Sequence, residues 1–349
     1  MSLSHVRIVG SGLIGSSIGL ALVQEGVAVT MVDSDPRAQA LARDLVKSAP
    51  SGDPDLVILA SPISTISEAL KSELTSPVKL GFMDISSVKT KVKVEISTSP
   101  LEAGRFLPSH PMAGREVGGA ESARADLFRA RPWILDSAEV DPDLRLAGLE
   151  VISLLGAVAI EMDSRSHDEA VALVSHLPQL VASLLAGQLE GADEAWLDLA
   201  GAGLRDTIRI AGSSPELWKE IVAANSSAIA PLLARLIEDA QRLLKGLSDE
   251  KVVAEVIAAG QRGRDLIPGK HGGQQRSYTY LPIVIEDKPG QLAALFDECA
   301  KAEVNVEDLT IEHSPGQFTG LITLALSEEG AAKLSSHLQE KGWSVHVPR

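Results

Sequence analysis

The sequence predicts three folded parts in one chain: an α/β domain, an all-α domain and a small domain of β-α-β-β-α-β order. Three observations carry that reading. Short apolar runs alternate with helical patterns as far as residue 162. Between 164 and 267 only long, Ala- and Leu-rich helical windows remain, and a polar, glycine-rich stretch at 268–278 then precedes six short alternating elements. At 349 residues the chain also exceeds what one ordinary core holds.

The first part, 1–163, has apolar runs at 6–9, 27–32, 56–60, 80–85 and 105–107, each followed by a helical pattern or a turn. That alternation predicts a mainly parallel sheet, which two later runs at 132–135 and 157–162 are expected to extend. The second part, 164–267, is read as all helix. Apolar residues occupy nearly every face of 171–189, so that helix is expected to be buried on all sides, inside its domain or against a second subunit. The stretch 268–278 reads as a linker. The last part, 279–349, reads strand 280–285, helix 292–302, strand 304–312, strand 320–326, helix 328–341 and strand 344–347, the ferredoxin-like order.

Composition narrows the partners. With 32 basic and 47 acidic residues the formal charge is −15, which opposes binding to nucleic acid or an anionic membrane. An anionic small substrate then needs locally placed arginines. The lone Cys299 can form no disulfide within the chain, and no Cys/His spacing suits a metal, so no metal site is expected. No run of about 18 apolar residues is evident, and residues 1–5 lead into the first strand without the pattern of a leader, so neither a span nor a leader is expected. The expected location is the cytoplasm.

The sharpest motif follows the first strand. Gly10-Ser-Gly12-Leu13-Ile14-Gly15 sits between a strand and a helix, and Asp33 closes the second strand. Gly10 permits a tight turn, Gly12 lets backbone approach a pyrophosphate, and Gly15 allows close helix packing, with the helix N-terminus supplying amide donors. This is the fingerprint of a Rossmann-type domain binding NAD. A carboxylate at 33 accepts ribose hydroxyls and repels a 2′-phosphate, although Arg37 nearby leaves NADP open. Ser61 and Pro62, after the third strand, should line the same edge.

Hydride transfer needs a group that takes the hydroxyl proton, and histidine has the pKa for it. His110, in Pro108-Ser-His110-Pro-Met-Ala-Gly114, stands just past a predicted strand end; Ser87, in Ser86-Ser87-Val88-Lys89, stands at another junction, where it could equally cap a helix. These residues carry a resemblance. Gly10 to Gly15, Ser87-Val-Lys89, His110 to Gly114, His167-Asp168, Ser175-His176-Leu-Pro178 and Arg205 to Ala211 together are similar to the prephenate dehydrogenase family of tyrosine biosynthesis.

The resemblance implies oxidative decarboxylation of prephenate with NAD to 4-hydroxyphenylpyruvate, carbon dioxide and NADH. It implies that His110 draws the ring hydroxyl proton, that Ser87 orients His110, and that Arg209 pairs with a substrate carboxylate. Glu116 and Asp168 match acids of the substrate shell, and His176 and Trp218 lie near the site; the all-round apolar helix 171–189 points to a homodimer through the helical domain. Many members have a second histidine where this chain has Gln179, so arogenate stays open as substrate. From 279 onward the chain resembles an ACT domain, with Asp287, Gly290 and Leu292 at its first turn, which implies an amino-acid effector such as tyrosine. A β-hydroxyacid dehydrogenase would want a catalytic lysine in the helical domain. A non-catalytic sensor of NAD and amino acids is the alternative from another class.

Overall fold

The computed structural model describes residues 3–48, 50, 52–115, 117–267, 278–313 and 319–348. They fall into two compact units, Met1–Glu238 and Asp239–Arg349, and each is taken by itself.

The first unit begins with five strands, β1 (His5–Val9), β2 (Ala28–Val32), β3 (Leu56–Leu59), β4 (Gly81–Asp84) and β5 (Phe106–Leu107), all parallel in the order β2-β1-β3-β4-β5. Between them run α1 (Leu13–Gln24), α2 (Pro36–Val46), α3 (Ile66–Glu73) and α4 (Thr90–Ser97). Both faces of the sheet are covered. Leu56 and Ile58 enter one apolar cluster while Val57 and Leu59 enter another, the two-residue period of a strand buried on both sides. The chain leaves β1 toward opposite edges for β2 and β3, which places the switch point of the sheet between β1 and β3.

The later strands do not extend this sheet. β6 (Ser109–Pro111), β7 (Pro132–Leu135) and β8 (Val158–Glu161) form a second, three-stranded sheet, with β6 antiparallel to β7 and β7 parallel to β8. The chain breaks between β5 and β6 at Pro108, whose carbonyl accepts from Asp136 but which has no amide to continue a ladder. His110, expected just past a strand, therefore sits inside one, paired with Ile134. Between β7 and β8 lies α5 (Pro142–Leu154).

Residues 164–267 hold no strand. α6 (Ser164–Val171) runs through a π-helical turn, Ala172–His176, into α7 (Leu177–Gly187). Pro178 explains that turn: it lacks an amide, and its ring would clash with the carbonyl four residues earlier in an unbroken α-helix. Then follow α8 (Glu194–Leu197), α9 (Ala202–Ile208), α10 (Pro215–Ala224), α11 (Ser226–Lys245) and α12 (Glu250–Arg264). α10 and α11 meet at 96° across Asn225.

One expectation narrows and one changes here. Leu173, Val174 and Leu184 are each more than half exposed in the chain, so the 171–189 helix is not buried all round by its own domain. The helix Ser164–Gly187, with mean hydropathy 1.6, is also long and apolar enough to cross a membrane, contrary to the absence of such a run expected from sequence. The run is interrupted by Ser175, His176 and Gln179, which hides it from a count of consecutive apolar residues.

In the second unit β9 (Thr279–Glu286), α13 (Gln291–Lys301), β10 (Asp308–His313), β11 (Thr319–Leu326), α14 (Glu328–Glu340) and β12 (Ser344–Val345) follow in the expected order. The sheet is antiparallel, β10-β11-β9-β12, over a core of Leu281, Ile283, Leu295, Ile322, Leu324 and Leu334. Residues 268–277 of the expected linker lie outside the described residues.

Candidate active site

The carboxyl ends of β1 and β3 build a cradle from backbone. Gly10 has φ +113°, and a Cβ there would lie 2.4 Å from the Ala60 carbonyl; at Gly15 it would lie 2.0 Å from the Gly10 oxygen. Both positions therefore require glycine. At Gly12, the N-cap of α1, a Cβ would meet nothing within 4 Å, so this glycine serves the open side of the turn, where backbone is bared to a ligand. Leu13 is buried and Ile14 packs against the core, which aims the first amides of α1 into that space.

Asp33 stands at the end of β2. Its Oδ2 accepts from the Ser11 amide at 2.6 Å and its Oδ1 from the Asp35 amide at 2.9 Å, fixing the carboxylate beside the turn. Arg37 is exposed on α2. Ser61 and Pro62 follow β3 on the other side of Gly10. The buried hydroxyls of Ser11 and Ser61 have no hydrogen-bond partner among the described residues, an arrangement that suits a polar ligand bringing its own acceptors. Helix N-terminus, bare glycine, carboxylate and two open hydroxyls together fit the pyrophosphate and ribose of a dinucleotide.

Beyond the cradle, β6 carries His110 toward α6. His110 Nδ1 lies 2.9 Å from His167 Nε2, with the rings edge to face at 78°. His167 Nδ1 lies 2.8 Å from Asp168 Oδ1. Asp168 also accepts from the Lys89 and Thr90 amides, each at 2.8 Å, and so supplies an anion to the N-terminus of α4. Burial opposes its charge, but the hydrogen bonds from His167, Lys89 and Thr90 prevail and hold its carboxyl below the usual range. An ionised carboxylate only accepts, so His167 Nδ1 must bear hydrogen. Neutral His167 then offers Nε2 as acceptor, His110 donates from Nδ1, and the lone pair of His110 is left on Nε2.

Burial first, then the repulsion a second positive charge meets from neighbouring His167, Lys89 and His176, pushes the His110 pKa well below its ordinary value. The ring is neutral at pH 7 and able to accept a proton. His176, at the end of the π turn, is buried, with its pKa lowered to about 4 by burial, Asp168 opposing and His167 adding. Asn225, at the bend between α10 and α11, donates to the Asp168 carbonyl at 2.8 Å and lies 3.1 Å from His176 Nδ1. Trp218 stacks edge-on against His176, centroids 5.9 Å apart. His176 is thus a satisfied core histidine behind the pair His110–His167.

The other candidates divide. Gln179 is buried in α7, contacting Ser183 at 3.3 Å and Ser213 at 3.4 Å. Arg209 is exposed on a 3-10 turn, Arg209–Gly212, that packs against α7. Ser87 is half-buried, but the ring partner of His110 is His167, and the cap of α4 is Asp168, so neither role expected of Ser87 appears in the hydrogen bonding. Glu116 lies outside the described residues. In the second unit Asp287 is exposed, Gly290 caps α13 with φ +89°, and Leu292 packs on the core. Sequence reasoning passed over His167 and Lys89 as site residues although both lie in the quoted motifs; only the fold brings them to His110.

Residues 18–161 match the family model "Prephenate dehydrogenase, nucleotide-binding domain" and residues 163–255 match "Prephenate dehydrogenase, dimerization domain". The cyclohexadienyl dehydrogenase of Zymomonas mobilis is 30% identical over 76% of this chain and 97% of its own. A probable prephenate dehydrogenase of Streptomyces niveus, NovF, is 28% identical over 97% of this chain and 98% of its own. Among solved structures, Aquifex aeolicus prephenate dehydrogenase in complex with hydroxyphenyl propionate and NAD+ superposes with a TM-score of 0.67 at 25% identity, covering 76% of this chain and 99% of that one. The chain belongs to the prephenate dehydrogenase family, with a nucleotide-binding domain of Rossmann type followed by a helical domain.

Proposed function

We propose that this enzyme is an NAD-dependent prephenate dehydrogenase, converting prephenate to 4-hydroxyphenylpyruvate and carbon dioxide. The observation that carries the reading is the chain His110–His167–Asp168, which leaves a basic nitrogen on a neutral imidazole. Gly10, Gly12, Gly15 and Asp33 would hold NAD, which when bound would supply the acceptor for the hydride lost from the carbon bearing the hydroxyl. As that C–H bond breaks, His110 Nε2 takes the hydroxyl proton. The ring carboxylate leaves as carbon dioxide, its C–C electrons completing the aromatic ring, and His110 returns the proton to the phenolate oxygen. Atoms and charge balance without any proton from solvent. Asp168 stays ionised throughout and stabilises the positive charge that the histidine pair carries in between.

Arg209 is the cation for a substrate carboxylate in a chain whose net charge repels anions. Gln179, with Ser213 beside it, faces the side-chain end of the substrate; because an amide carries no charge, arogenate is the alternative substrate, and Ser87 and Glu116 complete the substrate shell. The exposed Leu173, Val174 and Leu184 lie within the segment matching the family's dimerization domain, which supports a homodimer rather than a membrane span for that helix. A cytoplasmic location fits a helix used in this way. The C-terminal β-α-β-β-α-β unit supports an ACT domain that binds an amino acid such as tyrosine at the Asp287-Lys-Pro-Gly290 turn and inhibits. NADH formation from prephenate and from arogenate, with NAD and with NADP, tests the activity and its specificity. Calorimetry with tyrosine tests the effector, and absence of heat would remove it.

A further inference from the structure

Lys89 takes no part in the proton chain, yet it grips that chain at both ends. Its side chain is 1% exposed, a rare burial for an ammonium. Nζ donates to the Ser109 carbonyl at 2.6 Å and to Ser86 Oγ at 3.0 Å, and it pairs with Asp84. The Ser109 carbonyl belongs to the peptide bond that enters His110. Asp84 accepts from the Ser109 amide at 3.0 Å, and the Ser109 hydroxyl donates to the Asp84 carbonyl at 2.6 Å while accepting from Trp133 Nε1 at 3.0 Å. At its other end, the Lys89 amide donates to Asp168, where the histidine chain terminates.

We infer that Lys89 is a positioning residue for the proton transfer: its ammonium fixes the backbone that carries His110, and its amide fixes the carboxylate that orients His167. Both ends of the relay are thereby referenced to one residue. A buried ion pair is a poor device for stability alone, since apolar side chains of equal volume often serve better. Three donors on fixed acceptors are a good device for placement. The titratable groups acting on His110 are Lys89, with Asp84 as its ion partner, and His167 and His176 from the helical side, with Asp168 bound to His167. Among them Lys89 also opposes imidazolium formation by its charge.

This inference rests on His110 as the proton acceptor, so His110→Asn is assayed alongside. The test is Lys89→Met and Lys89→Arg in the full-length enzyme, with kcat for prephenate followed against pH and NAD affinity measured separately. For Lys89→Met the expected result is unchanged NAD binding, kcat lower by about 10–100-fold, as for a small misplacement of a reacting group, and an acid limb moved to higher pH. Lys89→Arg keeps the charge but not the geometry, so kcat falls while the limb stays. If Lys89→Met fails to fold, the charge-balanced Asp84→Asn/Lys89→Met enzyme should show the same loss in kcat. Wild-type kcat in any folded variant overturns the inference, as does a lowered kcat with an unmoved limb in Lys89→Met. His110→Asn at the wild-type rate would overturn the role of His110 as well; an inactive His110→Asn beside fully active Lys89 variants removes the Lys89 inference alone.

Discussion

Asp168→Asn is the perturbation whose consequences the site fixes most closely. The carboxylate accepts three hydrogen bonds, from His167 Nδ1 and from the Lys89 and Thr90 amides, each at 2.8 Å. A carboxamide offers one acceptor oxygen and turns an NH2 toward the remaining donors. At least one buried donor is then left unsatisfied, which costs about 1–3 kcal/mol. Losing the anion at the start of α4 adds about 0.3–1 kcal/mol. Stability should therefore fall by roughly 1–4 kcal/mol, read as a urea midpoint. Activity should fall further. If the NH2 faces His167, that ring flips its tautomer, donates from Nε2, and forces His110 to hold hydrogen on the nitrogen meant for substrate. The expected loss in kcat is about 10²–10⁴-fold, the span of general base catalysis, while NAD affinity, set at the Gly10 turn, stays unchanged. A folded Asp168→Asn enzyme turning over prephenate at the wild-type rate would refute the tautomer argument.

Three further outcomes follow from the same coordinates. Gly10→Ala drives a Cβ to 2.4 Å from the Ala60 carbonyl at φ +113° and should destabilise the fold, whereas Gly12→Ala meets no protein atom and should leave the melting temperature intact while weakening NAD binding; calorimetry and thermal melts separate the two. The lowered pKa of His110 means the neutral base persists below pH 6.5, so kcat should stay flat through neutrality and fall only in acid, as a pH profile will show. For His176 the folded pKa of about 4 lies below the ordinary 6.5. The unfolded chain therefore takes the proton first, and the stability present above about pH 6.5 is lost as pH falls toward 4, by at most about 3 kcal/mol; His176→Gln should abolish that part of the pH dependence in urea titrations.

Much of the fold was legible because period and punctuation state it locally. The apolar runs of β1 to β5, the glycine turn and the β-α-β-β-α-β order of the last unit each lie within a short window. What failed was short or through space. β6 is three residues, Ser-His-Pro, with no apolar alternation to announce it, so the sequence puts His110 just past a strand end rather than inside one and counts β7 and β8 into the first sheet. The π turn before Pro178 follows from a proline penalty that sequence shows, but its effect on His176 needs coordinates. His167 and Lys89 were in view as motif letters; that one completes a proton chain and the other clamps it depends on contacts across 57 and 79 residues. Ser87 is offered by the sequence both as the residue that orients His110 and as a helix cap; in the structure His167 stands beside His110 and Asp168 meets the amides at the start of α4.

The central claim is that His110, held neutral and oriented by His167 and Asp168, takes the hydroxyl proton of prephenate. NADH formation from prephenate by the wild-type enzyme and by His110→Asn tests it most directly. The account predicts turnover by the wild type and a loss of about 10²–10⁴-fold in the variant with NAD affinity retained. Equal rates in the two, or no turnover of prephenate by the wild type, would contradict it.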